Sequence, residues 1–360
     1  MEQLLLNGKI IYTADILRST SSKDCCSVVD EHLFTFIKKW YSKDQGIYVQ
    51  TSGSTGKPTD ILITKQQMIA SAKNTIQKFG LIAGEKALLC LDTTHIAGMM
   101  MVVRAITGQL ALIVVQPSTN PFETLTVDQQ LDFAAMVPFQ LKGILNSDNK
   151  NRKMLNNLKV LLLGGGSVDE ALENELQELK TPVYLGFGMT ETVSHIALRC
   201  LNGPNHSSEY KCLPGIEIRT DSRGCLCIKG EVTAYKWVVT NDQVTISDDQ
   251  SFLWLGRDDN VINSGGVKIH PEELEKQIAR YFLETGFKSN FFVIGLPDAD
   301  TGQRLCLVVE SKFISQNWIK ELKYLLPAYH NPKEVLFIEK FSYTSNEKIQ
   351  RDKTTENIKK

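Results

Sequence analysis

The segment Thr51-Ser52-Gly53-Ser54-Thr55-Gly56-Lys57-Pro58 holds the densest set of side chains able to do chemistry. Small residues let the backbone approach an anion, the hydroxyls donate hydrogen bonds, and Lys57 adds a positive charge. This is phosphate-binding chemistry. It departs from the Walker A pattern, because Thr51 stands at the first glycine position and Pro58 follows the lysine. It is not a G-x-S-x-G elbow either, since Ser52 replaces the first glycine. A surface turn is the plainer alternative for the same residues.

A second cluster, Leu185-Gly186-Phe187-Gly188-Met189-Thr190-Glu191-Thr192, closes an apolar strand-like run. Phe187 is an aromatic able to lie against a base, and Glu191 is a hard oxygen ligand suited to Mg2+. A simple bend at a glycine-rich strand end is the alternative. Gly164-Gly165-Gly166 ends another such run. Arg257, Asp258 and Asp259 follow Trp254, and Ser264-Gly265-Gly266 lies just beyond them. A charged hairpin turn and a loop account for that pattern equally well. The polar segment 344–351 carries Lys348. His95 reads either as a hydrogen-bonded core histidine or as a group bordering the site. Arg104 lies inside an apolar run and needs a partner; an internal carboxylate and a substrate carboxylate are both open.

Those groups need elements to carry them. The chain has 360 residues, 42% hydrophobic and 22% charged, which suits about two globular domains. Lys plus Arg is 40 against 41 for Asp plus Glu, so no global basic field exists to hold nucleic acid or an anionic membrane. The start shows no basic region followed by a cleavage site, so no secretory leader is expected. The most apolar stretch, near 97–115, is broken by Arg104, Thr107, Gly108 and Gln109 and reads as buried core rather than a membrane span. The eight cysteines form no C-x-x-C pair. That argues against structural zinc and for reduced thiols in a cytoplasmic protein.

Periodicity predicts strands at 47–50 and 61–63 and a helix over 65–79, with Met68, Ile69, Ala72, Ile76 and Phe79 on one side. Strands at 87–91 and 110–115 flank a helix over 99–106. A buried strand at 160–163, a helix over 169–179 and a strand at 183–185 follow. This alternation implies an α/β protein with a largely parallel sheet. Beyond about Cys200 the segments 216–218, 225–228, 238–239, 244–246 and 252–255 are short and turn-separated, which reads as a small antiparallel sheet or barrel. A helix from Pro271, strands at 291–295, 306–309 and 335–338, and a helix near 316–325 complete a small α+β unit. The boundary falls at 257–260. A large N-terminal domain, 1–256, with a β-rich part at about 200–256, is thus expected before a small C-terminal domain, 257–360.

In this order the motifs resemble the signatures of the acyl-adenylate-forming superfamily: acyl- and aryl-CoA ligases, peptide-synthetase adenylation domains and luciferases. Thr51 to Pro58 resembles the family's phosphate loop. Phe187-Gly188-Met189-Thr190-Glu191 resembles its Tyr-Gly-Met-Thr-Glu segment. Thr240-Asn241-Asp242 resembles its Thr-Gly-Asp turn, and Arg257 follows Asp242 by 15 positions, as in the family. Asp259 falls at its interdomain hinge and Lys348 at its adenylation lysine. His95-Ile96-Ala97-Gly98, Arg104, Met136-Val137-Pro138 and Ser264-Gly265-Gly266 through Glu275 are similar to stretches of the o-succinylbenzoate–CoA ligases of menaquinone biosynthesis. Thr59 replaces the lysine that usually closes the phosphate loop, Ser342 stands where Pro is common, and Glu347 replaces the glycine before Lys348.

The resemblance implies two half-reactions on a small carboxylic acid, with ATP, Mg2+ and coenzyme A. The acid attacks the α-phosphate of ATP to give acyl-AMP and pyrophosphate; the CoA thiol then takes the acyl group. It implies that the phosphate loop holds the outer phosphates, Glu191 helps hold Mg2+, and Lys348 bridges carboxylate and α-phosphate. Asp242 then takes the ribose and Arg257 supports the nucleotide. Gly164-Gly165-Gly166 and Phe187 bracket adenine, with Gly188, Met189 and Thr190 beside it. Ser264, Gly265 and Gly266 face CoA after the small domain swings about Asp259. His95 borders the acid and the thiol, and Arg104 meets a second carboxylate. Only 50 residues precede the phosphate loop, fewer than the family usually carries, from which a reduced and dimeric ligase is expected. Another aryl- or acyl-CoA ligase, and a nucleotide-binding protein without ligase activity, are the competing readings.

Overall fold

A computed structural model describes residues 3–19, 31–50, 59–126, 128–248, 250–312, 317–343 and 349–356. Residues 51–58 and Lys348 lie outside them. The first half runs β1 (Gln3–Leu6), β2 (Lys9–Tyr12), α1 (Thr13–Arg18), α2 (Glu31–Tyr41), β3 (Gly46–Gln50), β4 (Asp60–Thr64), α3 (Lys65–Phe79), β5 (Lys86–Leu89), α4 (Ile96–Gly108), β6 (Ala111–Val114), β7 (Phe133–Met136), α5 (Pro138–Leu145), α6 (Asn149–Leu155), β8 (Val160–Leu163), α7 (Glu170–Leu176) and β9 (Val183–Gly188). Strands β10 (His195–Cys200), β11 (Tyr210–Cys212), β12 (Glu217–Thr220), β13 (Cys225–Lys229), β14 (Val238–Asp248) and β15 (Ser251–Arg257) follow. The rest is β16 (Ile262–Ser264), β17 (Val267–Ile269), α8 (Pro271–Thr285), β18 (Phe291–Asp298), β19 (Gly302–Glu310), α9 (Asn317–Leu325), β20 (Glu334–Ile338) and α10 (Arg351–Thr355).

Thirteen strands form one sheet in the order β12-β13-β14-β15-β11-β10-β9-β8-β7-β5-β6-β1-β2. The run from β9 to β1 is parallel, and β10 pairs antiparallel with β9. The β-rich stretch expected near 200–256 is present, and it continues the large sheet through β10 and β11. Successive residues of a strand alternate faces. Ala87 and Leu89 join one core with α3 and α4, while Leu88 and Cys90 join the other with α5, α6 and α7. Burial on both faces explains why these strands read as unbroken apolar runs.

Local signals set the helix ends. In α3 the Thr64 hydroxyl accepts from the Gln67 amide at 3.2 Å and Gln67 Oε1 accepts from the Thr64 amide at 3.0 Å, a reciprocal cap. The helix stops at Gly80, φ 58°. The span matches the one predicted from periodicity. Strand β7, Phe-Ala-Ala-Met, carries no strand signal in the sequence, because it lacks β-branched residues. The runs at 238–239 and 244–246 are a single strand, β14, whose polar middle and bulge at Gln243/Val244 broke the apolar pattern.

A second sheet, β17-β16-β19-β18 with β20 beside β19, has its own core under α8 and α9. Ile262, Ile278, Phe282, Val293 and Leu307 are buried there, and Trp318 packs edge-on against Phe282. Gly265 and Gly266, at φ 58° and 82°, form the two-residue turn between β16 and β17. Such a turn needs positive φ at both residues, which glycine gives without strain.

One buried side chain ties three strand ends together. Gln140 Nε2 donates to Cys90 O and to Ser118 O, both at 3.0 Å, and its Oε1 accepts from the Val137 amide at 3.3 Å. The ends of β5 and β7 and the loop after β6 therefore share one amide. Replacing it with a shape-matched apolar chain strands three polar backbone groups, each worth about 1 kcal/mol or more when buried. Gln140→Leu should thus lower unfolding free energy by about 3 kcal/mol, read as a reduced urea midpoint at unchanged slope. An unchanged midpoint would remove Gln140 from this role.

Candidate functional site

The parallel strands all end on one rim. Strand order reverses between β5 and β7: β6 lies on one side of β5 and β7 on the other. Ligands of open α/β sheets bind outside the carboxyl ends of the strands at such a point. The loops there are 90–95 after β5, Val137-Pro138 after β7, Gly164-Gly165-Gly166 after β8 and 189–194 after β9. Gly165 and Gly166 lie against Val137 and Pro138. His95 precedes α4, its amide bonded to Asp92 O at 3.2 Å. It is exposed, so the alternative of a core histidine does not hold.

The loop after β9 is held by close packing. A Cβ on Gly188 would sit 2.1 Å from Ser194 O, and one on Gly186 2.9 Å from the His195 Cβ. Only glycine lets β9 and β10 come this near. Between them, Val193 has φ 67° and ψ −56°, and the Ser194 amide reaches Thr192 O at 2.8 Å. That is a γ-turn of the rare positive-φ form, costly for a β-branched residue. Thr192 Oγ1 anchors it, donating toward Met189 O and Ser194 O and accepting from the Met189 amide at 3.0 Å. Glu191 projects from this loop with no hydrogen bond or ion pair among the described residues. Its carboxylate therefore retains its full acceptor capacity.

Behind the loop lies a buried polar ring. Arg104 on α4 is 2% exposed. Its Nε donates to Thr75 Oγ1 at 3.2 Å, Nη2 to Ser194 Oγ at 3.0 Å and Nη1 to the Met101 sulfur at 3.5 Å. His195 closes the ring, with Nε2 3.3 Å from Thr75 Oγ1 and Nδ1 3.2 Å from Ser194 Oγ. No carboxylate pairs with Arg104 among the described residues. Burial alone lowers its pKa to about 10, so it stays charged at neutral pH. Burial and the neighbouring guanidinium push His195 down to about 3. Thr75, Ser194 and His195 were not singled out in the sequence. The one available signal was a hydroxyl and an imidazole, Ser194 and His195, one residue beyond the Thr190-Glu191-Thr192 triplet.

Asp242 and Arg257 are cross-strand partners in β14 and β15, which gives their 15-residue spacing a structural cause. Asp242 Oδ1 accepts from Trp254 Nε1 at 2.9 Å, and burial raises its pKa. Its Oδ2 has no hydrogen-bond partner among the described residues. Arg257 Nη2 pairs with Asp259 at 2.6 Å, so a nucleotide-site candidate and the hinge candidate are in contact. Asn241 Nδ2 bonds the other Asp259 oxygen at 3.0 Å. Asp258 is held by Gln243 at 2.6 Å and by Arg223 at 3.2 Å. Phe187 is engaged edge-on by Tyr210 and Phe252, with centroids 5.5 and 5.1 Å away. Ser264, Gly265 and Gly266 sit in the β16–β17 hairpin, in the second sheet. A cleft of about 410 Å3 beyond β6, lined by Asn7, Gln116 and Ser118, contains none of these groups.

The rim and the first sheet thus hold His95, Arg104, Gly164, Gly165, Gly166, Phe187, Gly188, Met189, Thr190, Glu191, Asp242 and Arg257. His195 sets a pH signature. Its pKa in the unfolded chain is the ordinary 6.5, and about 3 in the fold. Below about pH 6.5 the unfolded chain binds a proton that the folded one refuses, so its contribution is full above that pH and is lost as pH falls toward 3. Between pH 7 and 5 this amounts to about 2 kcal/mol. His195→Gln should flatten the pH dependence by that amount, measured as urea midpoints of both proteins at the two pH values. Parallel curves would contradict a neutral buried His195.

The family model for "AMP-binding enzyme" matches residues 10–232. A 2-succinylbenzoate–CoA ligase of Bacillus licheniformis is 26% identical over 351 residues, covering 89% of this chain and 71% of its own. A solved structure from Dyadobacter fermentans, an acyl-CoA synthetase (AMP-forming)/AMP-acid ligase II-like protein, is 40% identical, covers 90% of this chain and 93% of its own, and superposes with a TM-score of 0.61. The o-succinylbenzoate coenzyme A synthetase of Bacillus subtilis, solved with ATP and magnesium, shares the fold at a TM-score of 0.68 and 20% identity, covering 87% of this chain and 68% of its own. With more than half its length matched by the family model and its curated relatives CoA ligases, the chain belongs to the AMP-binding enzyme family, in its AMP-forming acyl-CoA ligase branch.

Proposed function

We propose that the protein joins a dicarboxylic aromatic acid, o-succinylbenzoate first of all, to coenzyme A through an acyl-AMP intermediate. The observation that carries the substrate class is Arg104. It is buried, charged and without a carboxylate among the described residues. A buried cation left unpaired costs several kcal/mol, and a second carboxylate on the substrate removes that cost. Of five N–H groups on a guanidinium, three are engaged here. One remains on each terminal nitrogen, and a carboxylate can accept both.

The remaining roles follow from chemistry at the rim. Mg2+ needs one or two protein carboxylates and otherwise takes phosphate oxygens and water. Among the described residues no three His, Cys, Asp or Glu side chains converge, so Glu191 with its free carboxylate fits as the one protein ligand. The ion would neutralise phosphate charge. Asp242, through its open Oδ2, accepts from a ribose hydroxyl, and Arg257 turns to the nucleotide when Asp259 releases it. Phe187 offers adenine only the part of its ring not covered by Tyr210 and Phe252. Lys348 holds the acid and the α-phosphate as a point charge during the first half-reaction. His95 borders the acid and the entering thiol. Ser264, Gly265 and Gly266 face coenzyme A once the unit after Arg257 turns about Asp259.

A panel of carboxylic acids, with ATP and coenzyme A, scored for thioester by mass, tests the reading. The diacid o-succinylbenzoate should be the preferred member, and Arg104→Met should erase its advantage over monoacids. Lys348→Ala should abolish exchange of labelled pyrophosphate into ATP while sparing thioester formation from preformed acyl-AMP. Equal loss of both steps would exclude Lys348 from the adenylation role. Selectivity unchanged in Arg104→Met would exclude the dicarboxylate.

A further inference from the structure

The hydrogens of the polar ring are fixed by counting. Thr75 Oγ1 has one hydrogen and gives it to Ser71 O, 3.1 Å away one helical turn back. Its lone pairs then accept from Arg104 Nε and from His195 Nε2. The imidazole therefore carries its proton on Nε2, and Nδ1 is a bare acceptor. Among the described residues only the Ser194 hydroxyl fills that acceptor, at 3.2 Å. Ser194 Oγ in turn accepts from Arg104 Nη2. The ring closes with every member satisfied except two N–H groups of Arg104. The tautomer follows from this network.

The four members come from α3, α4, the turn at 193 and β10. The Arg104 guanidinium is thus held from two other elements, by Thr75 of α3 and by Ser194 after the turn. A lone arginine on a helix sweeps many rotamers; this one has its guanidinium plane set by two hydroxyls. We propose that Thr75, Ser194 and His195 are positioning residues that orient the Arg104 fork and thereby set the enzyme's preference for an acid bearing a second carboxylate. The proposal rests on the reading that Arg104 meets that carboxylate. His195 acts in its neutral form. A second cation there would repel the first in a low-dielectric site and would take away the acceptor that holds Ser194. Gly186 is part of the device, because any side chain there would displace the imidazole.

The test uses the full chain with ATP, Mg2+ and coenzyme A. The probes are o-succinylbenzoate and two monoacids that keep the carboxylate to be activated, with the second one replaced by hydrogen or by methyl. Thr75→Val and Ser194→Ala each remove one acceptor from Arg104 at nearly constant shape. Each should raise KM for the diacid by about tenfold, the equivalent of one charge-assisted hydrogen bond. The fall in kcat/KM should be at least about fivefold smaller for the monoacids. Thr75→Ser keeps the hydroxyl and should restore diacid KM. His195→Gln, whose amide can both donate and accept, should lose less than His195→Leu. Equal losses for diacid and monoacids, with thermal melting lowered to match, would reduce the ring to scaffold and overturn the proposal. So would a diacid preference that vanishes in Arg104→Met yet survives in Thr75→Val, Ser194→Ala and His195→Leu. A preference absent from the unaltered protein, or intact in Arg104→Met, would instead sink the dicarboxylate reading on which the proposal stands.

Discussion

The reversal of the chain at Val193 is the constraint on which the rest of the site depends. A parallel sheet keeps all its strand ends on one rim, but nothing in that arrangement puts groups behind the rim. Here the chain leaves β9, turns within a few residues and returns as β10 against the same strand. The turn is so tight that glycine is required at 186 and 188, and a valine is forced to positive φ. Strain of this kind costs about 1–3 kcal/mol and persists only where surrounding contacts over-determine it. Thr192 supplies those contacts. In return, Glu191 is carried to the front of the rim while Ser194 and His195 are delivered to its back, only three and four positions later.

What lies at the back is governed by dielectric. A charged guanidinium in the interior loses its hydration, and hydroxyls and a thioether recover only part of it. That Arg104 tolerates neutral partners follows from its high intrinsic basicity: lowered to about 10, it still holds its proton. A lysine would not be equivalent. Its ammonium has no fork, and burial shifts it more readily toward neutrality. The neighbouring histidine yields instead, because its ordinary pKa is already near neutrality.

Much of this was legible in the sequence, and the parts that were not share a cause. Helix α3 announced both ends, with Thr64 and Gln67 at one and Gly80 at the other. The alternation of β5, β6, β8 and β9 with helices declared the α/β class, and the glycine-rich ends at 164–166 and 186–188 marked the rim. Strand β7 stayed hidden because two of its four residues are alanine, neutral between strand and helix. The ring stayed hidden because Thr75, Arg104 and His195 are 29 and 91 positions apart in succession and meet only through helix packing and strand pairing. Gly265 and Gly266 were conspicuous, but a hairpin explains their conformation whatever else they do. Residues 51–58, the strongest local signal, and Lys348, marked only by the family resemblance, fall outside the described residues.

The Arg257–Asp259 contact has a thermodynamic corollary. One guanidinium is wanted by two anionic partners: the aspartate just after β15 and, in the proposed reading, the nucleotide. Competition for a single group is a coupling free energy, and coupling is reciprocal. Whatever loosens Asp259 must strengthen nucleotide binding by the same factor by which nucleotide loosens Asp259. The two partners also differ in support, since Asn241 steadies Asp259 from the opposite side. The sequence departs from the family's Thr-Gly-Asp turn at this one position, and a glycine there would have no side-chain amide to offer. The side chain added by that exchange therefore weights the balance toward the aspartate, beside the Arg280–Glu170 pair that also links α7 to α8.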